Sequence, residues 1–297
     1  MTTEKHHGTH LIDYLKAWPQ FLLPHYSLCN AMHAITRIRT PFIKNPLIKW
    51  FAKQYAVNMS EAVEPNATVY EHFNAFFTRA LKPDVRPVCE QVNALLSPVD
   101  GAISQLGAIT QGRIIQAKGR NYSLLELIGG DQQLAKEFAD GSFITLYLSP
   151  KDYHRIHMPL SGKLKHMLHV PGRLFSVSAA TTRVVNRLFA RNERVVTLFE
   201  SASVGDFYVI LVGALFVGSM ETVWHGPITP PHGGFLKRWD YDSSDASVEL
   251  NKAQEMGRFN MGSTVILLFK PDTVRWSEEL TIDTPVTMGQ KLGEVVS

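Results

Sequence analysis

A series of short apolar segments, separated by turn residues and beginning near residue 95, most constrains the fold of this chain. Each segment has six or seven residues and is rich in Val, Ile, Leu and Phe. Segments of this length and composition are typical of strands rather than helices. The predicted strands are Ser142–Leu148, Arg194–Phe199, Phe207–Val212, Ala214–Met220 and Thr264–Phe269. The sequence therefore predicts a mainly β body of the α+β class.

The N-terminal region has a helical pattern instead. Leu47–Tyr55 carries apolar residues at helical spacing, and residues 69–81 do the same with three phenylalanines and Leu81. One further helix is predicted over residues 123–138. Because proline disrupts helix interiors, we expect residues 1–60 to be cut into short pieces at Pro19, Pro24, Pro41 and Pro46.

The positive charge is concentrated in this helical region. Residues 1–60 carry seven Lys or Arg against two Asp or Glu, whereas the remainder carries 23 against 25. A basic and apolar arm suits an anionic surface, either nucleic acid or lipid; the alternative is that its helices simply pack on the body. The longest apolar stretch has 14 residues, fewer than the roughly 20 that a membrane span needs. We divide the chain into a helical region, residues 1–90, and a β-rich body, residues 91–297.

Three stretches of the body hold residues that could activate a hydroxyl nucleophile. Asp100 lies on a predicted turn, His154 and His157 are separated by two residues, and Ser263 precedes the last long predicted strand. In such a set the His takes the serine proton and the Asp orients the His. A hydrolase that uses Ser263 on an external ester is one reading of these residues. The His-x-x-His spacings, at His154 and at His166, have no third ligand nearby in sequence, so no metal site is predicted.

The glycine before the serine allows a second use of the same hydroxyl. Gly262 has no side chain to block approach to its own carbonyl carbon. Attack by the Ser263 hydroxyl would shift the acyl group from nitrogen to oxygen and form a main-chain ester. Elimination from that ester would cut the chain and leave dehydroalanine, which hydrolyses to a pyruvoyl group.

Several motifs together resemble those of phosphatidylserine decarboxylase of the membrane-associated proteobacterial type. The resemblance runs from about Leu47 to the C-terminus. It departs from the family at Met261, where the processing motif usually has Leu; this exchange conserves volume and polarity. The matching stretches are Pro98–Gly101, Gln116–Gly119, Tyr147–Pro150, Asp152–Pro159, Leu188–Arg194 and Gln254–Phe259.

The resemblance implies a role for each candidate residue. Asp100, His157 and Ser263 match the family's self-processing triad, with His157 as the base toward Ser263. Cleavage between Gly262 and Ser263 would give a β chain, residues 1–262, and an α chain, residues 263–297, that begins with a pyruvoyl group made from Ser263. His154 matches a histidine that assists decarboxylation.

The resemblance also implies the substrate and the location. Phosphatidylserine would be converted to phosphatidylethanolamine and CO2, with the covalent pyruvoyl group as the electron sink that pyridoxal phosphate supplies elsewhere. A lipid substrate favours the membrane reading of the basic arm, which would bind the anionic cytoplasmic face of the cell membrane peripherally. Members of the family are often homodimers. Nucleic-acid binding is not expected, since no corresponding signature occurs.

Overall fold

The computed structural model describes residues 11–117, 119–216, 219–242, 247–260 and 264–296. Within these ranges the α-helices are Leu11–Ala17 (α1), His25–Ile35 (α2), Pro41–Gln54 (α3), Phe73–Phe77 (α4), Leu124–Leu127 (α5), Gln132–Glu137 (α6), Ala179–Val184 (α7) and Leu188–Arg191 (α8). Short 3-10 helices cover Trp18–Phe21, Met59–Glu61 and Pro83–Val85.

All strands of the described residues except the first lie beyond residue 100. They are Ala94–Leu96 (β1), Gly101–Ala108 (β2), Arg113–Ala117 (β3), Arg120–Ser123 (β4), Ser142–Tyr147 (β5), Arg155–His157 (β6), Gly162–Val170 (β7), Arg194–Ser201 (β8), Gly205–Val212 (β9), Met220–Thr222 (β10), Gly226–Pro227 (β11), Lys237–Asp240 (β12), Glu249–Leu250 (β13), Glu255–Phe259 (β14), Thr264–Phe269 (β15), Val274–Trp276 (β16), Pro285–Val286 (β17) and Lys291–Val295 (β18). Strand residues outnumber helical ones, which confirms the predicted mainly β class with N-terminal helices.

One large antiparallel sheet organises the body. Its strand order is β12-β7-β8-β9-β15-β5-β2-β17, with β13 also paired to β7. Smaller sheets have the orders β11-β10-β14-β6 and β1-β18-β16, and β3 pairs with β4. The central strand β15 is continuously apolar because both of its faces are buried. Val265 and Leu267 pack into one core, and Ile266 and Leu268 pack into the other.

Four of the predicted strands are confirmed and the fifth is wrong. β5, β8, β9 and β15 match their predicted segments within two residues. The segment Ala214–Met220 is not one strand, because Met220 is the one residue of its described part that belongs to a strand, β10. Ala214 and Phe216 lie outside strands, and Phe216 has a φ of 66°, a left-handed conformation that an extended strand cannot contain.

Three helix predictions need correction. Residues 69–81 form only the short helix α4, because the chain beyond it is extended and Leu81 bridges Ala62. Residues 123–138 form two helices, α5 and α6, which are separated by Gly129 and Gly130 at φ of 93° and 99°. Conversely, α3 is longer than predicted and contains Pro46.

The helical arm is docked on the body by specific polar contacts. The buried Asp13 carboxylate accepts two hydrogen bonds of 2.9 Å from Arg183. On the next helix, His25 accepts a hydrogen bond through Nδ1 from the Leu174 amide at 3.0 Å. A separate apolar cluster, which includes Phe51 and Phe77, joins α3 to α4. Part of the surface of the helical arm therefore packs on the body, as one of the two alternatives stated above.

No helix among the described residues combines the length and the apolarity that crossing a membrane requires.

Candidate active site

Three strands bring Asp100 and Thr264, the residue that follows Ser263, to one end of the large sheet. Ala102 of β2 lies opposite Tyr147 of β5, and Tyr147 lies opposite Thr264 of β15. Asp100 precedes Ala102 by two residues, and Thr264 is the second residue after the predicted cleavage point. Met261, Gly262 and Ser263 themselves lie outside the described residues. The strand pairing nevertheless fixes the residue that follows them.

Gly101 makes this close arrangement possible. A Cβ atom at this position would lie 2.3 Å from the carbonyl oxygen of Tyr147, which is backbone and cannot move aside. Any other residue would therefore push β2 away from β5. This close contact explains why a glycine follows Asp100. The glycine allows β2 to pair with β5 and so keeps Asp100 at the sheet end.

Asp100 is bound by an arginine that the sequence analysis did not identify. Nε of Arg86 lies 2.9 Å from Oδ1 of Asp100, and Nη2 lies 2.6 Å from Oδ2. The amide of Met288 donates a further hydrogen bond of 2.8 Å to Oδ1. Nη2 of Arg86 also contacts Glu61. The hydrogen bond to Asp100 raises the pKa of Arg86 above its usual value, so the guanidinium stays charged.

His157 is held in one orientation by two neighbours. Its Nδ1 lies 2.8 Å from the carbonyl oxygen of Ala253, so Nδ1 carries the proton and donates. Its Nε2 lies 3.1 Å from the Tyr153 hydroxyl, which donates to the ring. Burial lowers the pKa of His157. The ring is therefore neutral, with its lone pair on Nε2.

Asp100 and His157 are linked through the backbone rather than side chain to side chain. The amide of His157 donates to the carbonyl of Pro98 at 2.8 Å. Among the described contacts the Asp100 carboxylate does not hydrogen-bond the His157 ring, because Arg86 and Met288 occupy it. We expected Asp100 to orient the His157 ring directly. In the structure the Ala253 carbonyl accepts the hydrogen bond that orients it. The role of each residue in processing stays a prediction.

His154 is a fully buried imidazole with one unused nitrogen. Its Nδ1 lies 2.7 Å from the carbonyl oxygen of Asp152, and its ring centroid lies 4.0 Å from that of Phe77. Within the described chain its Nε2 has no hydrogen-bond partner. Burial lowers the pKa of His154 to about 3, so the ring is neutral near pH 7. Its carbonyl accepts from the Phe259 amide at 3.0 Å, close to the cleavage point in sequence.

A second buried charge lies apart from these residues. The carboxylate of Glu193 contacts Nε2 of His169 at 2.9 Å and Nδ1 of His232 at 2.7 Å. Burial would raise the pKa of Glu193, but the hydrogen bonds from the two histidines outweigh it and lower the pKa. Tyr26 of α2 stacks on His232 with ring centroids 4.8 Å apart. This cluster connects the arm to the body.

The described residues contain no group of three or more His, Cys, Asp or Glu side chains placed to hold a metal ion.

Comparison with known proteins shows the family. A family model described as phosphatidylserine decarboxylase matches residues 73–294, and a second model, described as PSD, matches residues 15–56. Three curated relatives are each named phosphatidylserine decarboxylase proenzyme. The one from Ectopseudomonas mendocina is 55% identical over 92% of this chain and 96% of its own length. Those from Pseudomonas fluorescens and Nitrosococcus oceani are 54% and 51% identical, over 92% and 97% of this chain and 95% and 93% of their own lengths. These matches cover both the helical region and the body, and the chain belongs to the phosphatidylserine decarboxylase family.

Proposed function

We propose that this chain is a proenzyme that cuts itself between Gly262 and Ser263 and then decarboxylates phosphatidylserine to phosphatidylethanolamine and CO2. Family membership supports the reaction. The observation that carries the proposal is the register across β2, β5 and β15, in which Ala102, Tyr147 and Thr264 lie side by side. That register supports a processing site at the sheet end where Asp100 lies.

His157 is the base in this account. Its neutral tautomer has the proton on Nδ1, bound to the Ala253 carbonyl, and therefore offers the Nε2 lone pair to a hydroxyl. Nε2 must leave the Tyr153 hydroxyl to accept the Ser263 proton. The negative charge of Asp100, which Arg86 holds in place, favours the imidazolium electrostatically without a hydrogen bond to the ring.

The surroundings of His154 fit a site for the pyruvoyl group made from Ser263. A pyruvoyl group supplies a carbonyl that condenses with the substrate amine and an adjacent amide that accepts electrons. His154 offers a buried and unpartnered Nε2 next to the strand that leads to residue 263. We propose that this nitrogen orients the substrate or moves a proton at its α-carbon. The packing of Phe77 on the ring excludes water from that nitrogen.

The helical region supports peripheral binding to the cytoplasmic face of the cell membrane. Its helices expose large apolar side chains that a water-facing surface does not require. The most exposed are Leu11 at 78%, Leu22 at 90% and Phe42 at 92%. Residues 1–60 also hold the excess of Lys and Arg that an anionic leaflet attracts. We propose that residues 1–90 bind the membrane while residues 91–297 carry out the reaction.

A homodimer is proposed on the family resemblance alone, and light scattering of the processed enzyme tests it. A monomeric mass with full activity would contradict it.

The test of the reaction uses purified protein and phosphatidylserine vesicles. We expect CO2 and phosphatidylethanolamine in equal amounts, and loss of both after treatment with phenylhydrazine, which blocks a pyruvoyl carbonyl. A hydrolase would instead release free serine, phosphoserine or fatty acid and would be insensitive to the reagent. That pattern of products would overturn the proposal.

A further inference from the structure

A small cleft lies between the C-terminal end of helix α2 and the body. On the side of α2 it is lined by His33 and by Thr36 and Arg37, which follow the helix, and on the side of the body by Ser219 and Asn260. Asn260 is held firmly, since its carbonyl accepts from Asn74 at 2.8 Å and its Nδ2 donates to the Ser219 hydroxyl at 2.8 Å. Asn260 precedes residue 263 by three positions. The cleft is therefore lined by a residue that lies close in sequence to the proposed cleavage point.

The Arg37 guanidinium is the cation of this cleft, and its donors are mostly unused. The residue is half-buried, and within the described chain its side chain makes one long hydrogen bond, 3.3 Å from Nη1 to the His33 carbonyl. Nε and Nη2 have no partner there. By contrast, the neighbouring Arg39 is exposed and pairs with Glu71 at 3.0 Å. Of these two arginines, Arg37 is therefore the one that lines the cleft and has donors without a partner among the described residues.

Among the described residues Arg37 forms no ion pair with an acidic side chain. Glu221 influences Arg37 electrostatically, but its Oε1 is engaged at 2.9 Å by Nε of Arg258. His33, in the last turn of α2 and a lining residue of the same cleft as Arg37, makes no ring hydrogen bond in the described chain. A half-buried guanidinium with a neighbouring imidazole and no anion of its own is a ready site for an anionic group.

The chemistry of the substrate supplies that group. Three covalent bonds separate the α-carbon of the serine headgroup from phosphorus, so the phosphodiester must bind within one side-chain length of the reaction centre. A guanidinium presents paired donors that match phosphate oxygens. We propose that Arg37, assisted by His33, binds the phosphodiester of the substrate and makes the enzyme selective for phosphoserine lipids over phosphate-free serine esters. This inference rests on the proposed function.

The test compares two substrates and two arginines. Dihexanoyl phosphatidylserine is used as monomers, which removes attraction to a membrane from the measurement. The second substrate is O-hexanoylserine, which has no phosphate. Arg37→Gln is compared with Arg37→Lys and with Arg39→Gln, which removes the same charge two residues away and serves as the matched control. Self-cleavage of every variant is checked by mass first.

We expect Arg37→Gln to raise KM for dihexanoyl phosphatidylserine about tenfold, as loss of one charge-assisted contact does, with kcat within about twofold. Arg37→Lys should recover part of the loss. KM for O-hexanoylserine should not change, and Arg39→Gln should behave as the wild type. An unchanged KM in Arg37→Gln, an equal rise for both substrates, or the same rise in Arg39→Gln would overturn the proposal.

Two further measurements keep the outcome decisive. If Arg37→Gln does not cleave itself, glycerophosphoserine is titrated calorimetrically into the uncleaved Ser263→Ala chain with and without Arg37→Gln; equal affinity overturns the proposal. If inorganic phosphate competes in an Arg37-dependent manner while KM for the lipid is unaffected, the cleft binds free anions only and the proposal is wrong. A wild-type protein that releases no CO2 would refute the proposed function itself, whatever the titration gives.

Discussion

Arg86 binds Asp100 through two nitrogens, with Nε 2.9 Å from Oδ1 and Nη2 2.6 Å from Oδ2. The pair is mostly buried, so removal of the arginine leaves a carboxylate without its main partner. We expect Arg86→Gln to slow self-cleavage at least tenfold and to destabilise the fold by about 3 kcal/mol. The rate is read from the ratio of cut to uncut chain on a denaturing gel.

Arg113→Gln is the control for this experiment, because the Arg113 side chain is exposed and its one hydrogen bond among the described residues is to Asn121. Its cleavage rate should equal that of the wild type. Rapid cleavage of a folded Arg86→Gln chain would show that the Arg86–Asp100 pair serves stability alone.

The hydroxyl of Tyr153 occupies the nitrogen of His157 that must accept a proton. We expect Tyr153→Phe to cleave itself within about fivefold of the wild-type rate, because the lone pair of Nε2 is then already available. His157→Gln should not cleave, since an amide is not a base at neutral pH. The time course of cleavage after translation measures both. If Tyr153→Phe is blocked as completely as His157→Gln, the tyrosine takes part in proton transfer.

Burial of His154 predicts a dependence of stability on pH. The pKa of its ring is about 3 in the folded chain, whereas that of an unfolded histidine is about 6.5. Between these values the unfolded chain binds a proton that the folded chain does not. The free energy of unfolding therefore falls as the pH drops from about 6.5 toward 3, by up to about 1.4 kcal/mol per pH unit from this group.

Urea denaturation at several pH values tests this, in a Ser263→Ala background so that one chain unfolds. His154→Gln should be less steep than its parent by about one proton between pH 6 and 4. Other buried histidines, such as His166, contribute equally to both chains. Identical slopes would mean that His154 is accessible to protons in the folded state.

Phe42 is the most exposed aromatic side chain of the described helical region, at 92%. If it enters the lipid interface, Phe42→Gln should weaken binding to anionic vesicles by about tenfold or more, since burying such a side chain contributes about 1.5–3 kcal/mol. Sedimentation with vesicles measures the partition. Val92→Gln is the control, because Val92 is 97% exposed but lies outside the helical region. An equal effect of both changes, or of neither, would contradict a membrane-facing role for Phe42.

Much of the body could be predicted because its central strands are buried on both faces. Val265 through Phe269 form an unbroken apolar run for that reason, and the same holds for β9. The helix over residues 123–138 was wrong because two glycines with positive φ interrupt it. A prediction from the spacing of apolar residues alone does not detect such a break.

The motifs identified His154, His157 and Asp100, but the partners of these residues could not be predicted. Arg86 follows a short 3-10 helix and has no neighbouring pattern that links it to Asp100. In sequence Arg37 is one of several basic residues of residues 1–60, and its place in one cleft with Asn260 depends on how α2 docks. Such contacts join distant segments, and only the tertiary structure shows them.

Self-cleavage between Gly262 and Ser263 is the central claim, and intact mass measurement of the purified protein beside Ser263→Ala tests it most directly. The account predicts a fragment of about 3.9 kDa, the share of the 33.3 kDa chain that 35 of its 297 residues represent. That fragment should carry a pyruvoyl group in place of its N-terminal serine and should be absent from the variant. A single uncut chain in the wild type, active toward phosphatidylserine, would contradict the account.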